Sequence, residues 1–211
     1  MTTEVSHPLF ARFYAKMAAG AEKAGAADHR RELLAALSGT VIEVGAGNGL
    51  NFKYYPTTVS YVLAVEPEPH LRQKATQAAV DAAVPITVVE GTADQLPAEA
   101  GEFDAAVASL VLCSVPDQTT ALGELHRVIR SGGELRYYEH VRASTFKRAR
   151  LQDRADPIWA VFGGGCHPNR DTEAAIERAG FSVEAHRSFL FQPCFVAKVV
   201  APHVIGRARR P

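Results

Sequence analysis

The chain is poor in cysteine, lacks any long apolar run and carries no surplus of either charge. Cys113, Cys166 and Cys194 are its only cysteines in 211 residues. Three cannot build a disulfide framework, and no C-x-x-C pair suggests zinc, so no metal is expected. Sparse cysteine of this kind fits a reducing compartment. No stretch approaches the ~18 apolar residues of a membrane span. The first residues, MTTEVSHPLFARFYAKMAAG, place charges and His7 where a signal peptide needs an unbroken apolar core. A cytoplasmic protein without a membrane span is therefore expected, with peripheral membrane association left open. Lys and Arg total 23, as do Asp and Glu, which argues against a nucleic-acid partner, since such binders carry a basic excess. The balance hides an asymmetry: residues 1–105 hold 8 basic and 13 acidic side chains, and residues 106–211 hold 15 and 10.

What is present is an ordinary globular composition, 47% hydrophobic and 22% charged, at a length suited to one elaborated domain. The first forty residues are Ala-rich, with Leu9, Phe10, Phe13, Tyr14 and Met17 at helical spacing, and predict a helical cap over 1–39. Short β-like runs then alternate with helical stretches. The runs are TVIEVG (40–45), YVLAVE (61–66), PITVVE (85–90), FDAAVASL (103–110) and ELRYYEH (134–140). Between them, 69–83 and 117–130 read as helices. Such alternation means βαβ units and a parallel sheet covered on both faces. Two further runs, FSVEAHRSFLFQP and CFVAKVVAP, follow each other without room for a crossover helix. They predict a C-terminal antiparallel hairpin, with the Arg207, Arg209 and Arg210 tail unstructured beyond it. The expected fold is α/β: a Rossmann-like, mostly parallel seven-stranded sheet with helices on both faces. It divides into the cap, a core over 40–141, a lid insertion over 142–165, and a C-terminal helix and hairpin over 166–205.

The sharpest local signal is Glu43-Val44-Gly45-Ala46-Gly47-Asn48-Gly49, at the end of the first strand. Glycines there let the backbone approach a ligand closely. The spacing is G-x-G-x-G rather than the G-x-G-x-x-G of dinucleotide binders. Glu43 would repel a pyrophosphate but suits an ammonium or sulfonium group. Glu66 ends the next strand, 17 residues after Gly49, where a carboxylate can accept both hydroxyls of a ribose. Together these point to S-adenosyl-L-methionine, with S-adenosyl-L-homocysteine as product. Either glutamate alone would pass for an ordinary strand-end charge. Asn51 and Pro67 flank the same two strand ends. Thr92 and Ala93 follow the third strand where an adenine would lie, with the Thr92 or Asp94 side chain placed for its exocyclic amine. Ser109 and Leu110 follow the fourth strand, where backbone would line the methionine portion.

These residues resemble the class I S-adenosylmethionine-dependent methyltransferase superfamily over about residues 8–205. Within it, the chain is most similar to the branch of thiol S-methyltransferases. That likeness rests on Asn51-Phe52-Lys53-Tyr54-Tyr55-Pro56, Leu110-Val111-Leu112-Cys113-Ser114-Val115 and Tyr138-Glu139-His140-Val141. It continues through Asp156-Pro157-Ile158-Trp159, Gly165-Cys166 and Pro202-His203-Val204-Ile205-Gly206. The animal members begin with an apolar membrane anchor and this chain opens without one, so the resemblance implies a soluble, bacterial-type relative. The superfamily also includes phospholipid and quinone-ring methyltransferases, which keeps a lipid-like acceptor open.

Methyl transfer from a sulfonium is an in-line displacement that needs mainly alignment, and a thiol acceptor reacts as its thiolate. His140 ends the fifth strand and is the catalytic candidate, placed to take or attract the acceptor's proton; otherwise it is a strand-end histidine. For the acceptor, Cys113 is either site lining or a small buried hydrophobe. His167, after three glycines, either folds over the site or stays in a surface loop. Tyr14 either closes over the cofactor or belongs to the core. In the 142–165 insertion, Leu151, Ala155, Ile158, Trp159 and Phe162 share one helical face, and Pro157 is expected to bend or break the helix. Arg142, Lys147, Arg148, Arg150 and Arg154 make it basic, and a positive field over the acceptor would favour an anion. The expected activity is methyl transfer to a small-molecule acceptor, with a thiol sulfur leading. The alternatives are an N- or O-methyltransferase on a lipid-like or aromatic metabolite, or a non-catalytic cofactor sensor.

Overall fold

The computed structural model describes residues 20–211, so the expectations for Tyr14 and its apolar neighbours lie outside the described residues. Seven strands form one sheet: β1 (Gly39–Val44), β2 (Val59–Val65), β3 (Ile86–Val89), β4 (Phe103–Ser109), β5 (Ile129–His140), β6 (Ser182–Leu190) and β7 (Pro202–Arg209). Their order is β3-β2-β1-β4-β5-β7-β6. β1 to β5 pair in parallel, and β7 runs antiparallel to both β5 and β6. This is the mostly parallel sheet with a C-terminal antiparallel hairpin that the alternation predicts.

The strand pleat divides the core between two faces. Ile42, Val44, Ala106, Ala108, Leu135 and Tyr137 bury one face against Leu122, Leu125 and Val128 of α3 (Gln118–Val128) and Ile176 of α5 (Thr172–Arg178). Val41, Val62, Ala64, Ala105 and Val107 bury the other under Leu33 and Leu34 of α1 (Ala27–Leu34) and Ala75 of α2 (Pro69–Val80). Helix starts follow capping chemistry. Glu68 accepts the Leu71 N–H ahead of α2, Asp117 those of Thr119 and Thr120 ahead of α3, and Asp171 that of Ala174 ahead of α5.

Three expectations fail at the C-terminal side. The CFVAKVVAP run is not a strand: Phe195–Lys198 form a 3-10 turn. Its apolar residues recur three apart, so Ala197 and Val200 turn inward while Phe195 and Val196 stay exposed. The last strand lies further on; Arg207 and Arg209, expected in a loose tail, belong to it, and Arg210 follows directly. Arg207 and Arg209 pair with Glu184 of β6, and Arg210 donates to the Ile129 carbonyl. Pro157 does not break its helix either, because α4 runs unbroken from Phe146 to Phe162. Both Pro157 and Asp153, whose carbonyl loses its partner, are exposed, so water can satisfy that carbonyl.

The apolar face expected for α4 is not its buried face. Ile158 and Phe162 are exposed, and the helix is anchored by Ala149 and Gln152. The Gln152 amide is buried, accepts the Ala143 N–H at 2.8 Å, and donates to the carbonyls of Val141 and Pro168 at 3.0 and 2.8 Å. One polar side chain thus ties α4 to the end of β5 and to the loop before α5. Among the described residues no helix is long and apolar enough to cross a membrane. Gln152→Leu keeps the volume but strands these three backbone groups. It should cost roughly 2–4 kcal/mol in urea unfolding, and a variant as stable as its parent would contradict this anchoring.

Candidate active site

The carboxyl ends of β1, β2, β4 and β5 gather the predicted site residues along one edge of the sheet. At the end of β1, the Gly45 and Ala46 N–H groups both donate to the Val65 carbonyl, at 2.8 and 3.1 Å, which clamps the turn to β2. Gly45 adopts φ +64, and a Cβ there would lie 2.5 Å from Val111 Cγ2. Gly49, at φ +77, lets Ala78 of α2 and Phe52 approach to where its own Cβ would stand. No other residue fits either position without displacing a neighbour.

Glu43 is buried and takes its hydrogen bonds from neutral donors, Asn51 Nδ2 at 2.8 Å and the Tyr55 hydroxyl at 2.7 Å. Burial pushes its carboxyl up to about 7. Glu66 is also buried and accepts the Gly47 and Glu68 N–H groups at 2.7 and 3.0 Å, and burial raises its pKa too. Beside this pair lies Arg30, buried in α1. It donates to Asn51 Oδ1 at 2.8 Å and Ser109 Oγ at 3.3 Å, and its Nε pairs with Glu22 at 2.8 Å. Arg30 therefore joins the ends of β1 and β4 through neutral intermediaries.

The loop after β4 is held by a third buried carboxylate. Glu139 Oε1 accepts the Val111 and Leu112 N–H groups at 3.0 and 2.9 Å, and Oε2 that of Cys113 at 3.1 Å. Burial raises its pKa well above the usual range while the three N–H groups pull the other way. This grip fixes Leu110 in the left-handed region, φ +61, with its N–H on the Tyr138 carbonyl at 2.7 Å. For a branched side chain that conformation is strained, and the surrounding bonds hold it there.

Beyond this loop, His140 Nδ1 lies 3.5 Å from Cys113 Sγ and 3.4 Å from Cys166 Sγ, and the two sulfurs are 3.7 Å apart. Both cysteines are buried. The neighbouring Cys166 thiol and burial push the Cys113 thiol well up. Trp159 packs against this sulfur cluster, and its indole N–H has no hydrogen-bond partner among the described residues. His167 donates its backbone N–H to the Cys113 carbonyl at 2.7 Å, while its ring faces Asp156 at 3.0 Å.

The span from β1 to β5, residues 42–137, matches the family described as "Methyltransferase domain". The thiol S-methyltransferase TMT1B of Rattus norvegicus is 33% identical over 173 residues, covering 80% of this chain and 70% of its own. The human thiol S-methyltransferase TMT1A is 32% identical over 180 residues, with the same coverage of each chain. The chain belongs to the class I S-adenosylmethionine-dependent methyltransferases. Solved structures agree at the level of fold. A Thermotoga maritima S-adenosylmethionine-dependent methyltransferase, described as a possible histamine N-methyltransferase, superposes with TM-score 0.72 at 21% identity, covering 96% of this chain and 98% of that one. A geranyl diphosphate methyltransferase in complex with S-adenosylmethionine gives TM-score 0.68 at 14% identity, covering 89% and 85%.

S-adenosylmethionine is the cofactor of this methyltransferase, and the residues present suit it. Two buried carboxylates hydrogen-bonded only by neutral donors, with Arg30 and Arg72 near but not paired to them, suit a cationic ligand. Of the sequence candidates, the structure connects Glu43 with Asn51 and, through Arg30, with Ser109; it connects Gly47 with Glu66. Pro67 offers its carbonyl to Arg72. Thr92 and Ala93 lie partly buried at the end of β3, in a tight turn closed on Gln95. Asn48 and Leu110 stand half-buried on the same edge. Cys113, His140 and Trp159 come together, and the His167 ring turns away to Asp156. The sequence reading missed Arg30, Tyr55, Glu139 and Cys166 as parts of the site. Arg30 had a legible signal, a charge on the apolar stripe it shares with Leu33, Leu34 and Leu37. Glu139 had none, because its partners are backbone groups.

The raised Glu43 pKa has a consequence for stability. Its protonated form stabilises the ligand-free fold below its ordinary value of 4.5, and that contribution is lost as pH rises through about 7. Across this window the wild type should lose about 3 kcal/mol relative to Glu43→Gln, which cannot titrate there. Urea unfolding of both proteins at stepped pH measures it; a difference that does not change with pH contradicts the assignment.

Proposed function

We propose that the protein is a thiol S-methyltransferase acting on small-molecule acceptors. The observation that carries this reading is the match, over 80% of the chain, to relatives named thiol S-methyltransferases. The acceptor side supports it, since two sulfurs and an imidazole stand there beside a carboxylate already occupied by backbone N–H groups. Glu66 is assigned to the ribose, Thr92 and Ala93 to the adenine, and Ser109 and Leu110 to the methionine portion. Glu43 and the Gly45–Gly49 turn are assigned to its charged end, where Arg30 keeps Asn51 and Ser109 in place. When bound, S-adenosylmethionine supplies an electrophilic methyl group on a cationic sulfur.

The remaining work falls to the chain's own residues and is mostly alignment. The strained Leu110 and the Glu139 grip fix the floor between the cofactor and acceptor halves. His140 stands where an acceptor loses its proton, and Trp159 offers an apolar wall to the acceptor's body. Helix α4 is assigned to the acceptor side through Trp159, which packs against Cys113 and Cys166.

The decisive assay supplies alkyl thiols alongside phenols and amines and identifies the methylated products. Thioethers should form; methylated oxygen or nitrogen with untouched thiols would overturn the reading. Glu66→Gln should weaken S-adenosylmethionine binding by about 2 kcal/mol, roughly thirtyfold, in calorimetry. Unchanged affinity would remove Glu66 from the ribose site.

A further inference from the structure

The strongest feature left over is the sulfur and imidazole cluster. Three soft donors from three segments, the loop after β4, the end of β5 and the turn before α5, converge on one point. A tetrahedral zinc ion binds thiolate sulfur at about 2.3 Å and imidazole nitrogen at about 2.0–2.1 Å. Those bond lengths set edges of about 3.8 Å between two sulfurs and about 3.6 Å between sulfur and nitrogen. The edges here are 3.7 Å between Cys113 and Cys166, and 3.5 and 3.4 Å from them to His140 Nδ1. A disulfide would need the sulfurs about 2.05 Å apart.

We propose that Cys113, His140 and Cys166 form a three-ligand site for a zinc-class divalent cation, whose fourth position takes the sulfur of the acceptor. Two thiolates and one imidazole suit zinc over harder cations, and three protein ligands with one position open is the catalytic rather than the structural pattern. The ligands are held by their backbones. The Cys113 N–H is on Glu139, its carbonyl accepts the His167 N–H, and Gly165 before Cys166 adopts φ +83 against the Ser114 carbonyl. The site lies on the ligand-binding edge of the sheet, three residues past Leu110. The sequence shows no metal spacing because the ligands are 27 and 26 residues apart.

This role rests on the thiol reading above. An acceptor thiol that ligates the cation gives up its S–H bond, its proton passes to solvent, and its sulfur becomes a bound thiolate with no change of oxidation state. The cation thereby holds at neutral pH the form of the acceptor that reacts.

The test uses the full chain, stripped with a chelator under a phosphine reductant and titrated with cobalt(II). One cobalt per chain should bind, with thiolate-to-metal charge-transfer bands and the intense visible absorption of a four-coordinate ion. Adding an alkyl thiol should strengthen the charge-transfer bands. C113S and C166S should each lose part of that absorption, whereas C194S, which alters the exposed cysteine, should keep all of it. If the buried-cysteine variants fail to fold, the wild type still decides. A disulfide reagent should label Cys194 at once in the zinc-loaded protein, and chelator should accelerate labelling of Cys113 and Cys166. No charge-transfer band, or labelling indifferent to chelator, overturns the site. Cobalt bands that ignore the added thiol overturn the fourth-position assignment. Methylation of thiols by chelator-treated protein at full rate overturns the cation's role while sparing the thiol reading. A cobalt-binding protein that leaves every thiol unmethylated overturns the thiol reading, and with it the cation's role, while sparing the three-ligand site.

Discussion

Burying carboxylates at the ends of parallel strands is the constraint on which the rest of this structure depends. β1 is a central strand, and the side chain of Glu43 at its end is buried beneath Asn51 and Tyr55 and loses its water. A buried carboxyl must be hydrogen-bonded, neutralised or paired, and here the fold supplies hydrogen bonds and a pKa raised by burial but no direct ion pair. Asn51 and Tyr55 satisfy Glu43, and backbone N–H groups satisfy Glu66. The missing charge is left for the ligand. Arg30 contributes by holding Asn51 and Ser109 rather than by pairing directly with either acid, so the site keeps its negative character.

The same device recurs at Glu139 with a different outcome. There three successive backbone N–H groups converge on one carboxylate, and the result is a fixed loop rather than a ligand site. That loop carries Leu110 at one end and Cys113 at the other, so a single grip sets the positions of both. The basic half of the chain adds Arg170, which donates to the Leu112 and Val115 carbonyls of the same loop, each at 2.8 Å. Arg142 pairs with Asp153, Arg187 with Glu32 and Arg209 with Glu184 at the surface. Lys147, Arg148, Arg150 and Arg154 are exposed. The basic side chains counted over 142–154 thus sit in a surface pair or in solvent, where screening is strong.

Much of the fold was legible because period-two and helical patterns report burial directly. β1 to β5, α2 and α3 fall close to their expected spans for that reason. The pattern misled where composition and burial part company. Phe195 and Val196 resemble a strand but face solvent, whereas the charge-rich PHVIGRAR lies between two strands. Arg207 and Arg209 reach the sheet's surface while His203, Val204, Ile205 and Ala208 are buried. In α4 the buried anchor is an amide, which no apolar pattern reports. The turn after β1 was legible in the same way, because the positive φ of Gly45 and the buried carboxyl of Glu43 follow from residue type and position. The acceptor side was less so: Cys166 meets His140 and Cys113 only through tertiary folding.

The charge state of Glu43 is the property on which cofactor binding turns. Calorimetry of S-adenosylmethionine binding near neutral pH, repeated in buffers of different ionisation enthalpy, counts the protons exchanged. A carboxyl pushed up to about 7 by burial should ionise as the cation arrives, so binding should release a fraction of a proton. That release should shrink with neutral S-adenosylhomocysteine and vanish in Glu43→Gln. Binding heats independent of buffer, or proton release that persists in the variant, would contradict the claim that a buried acid waits there for a cationic ligand.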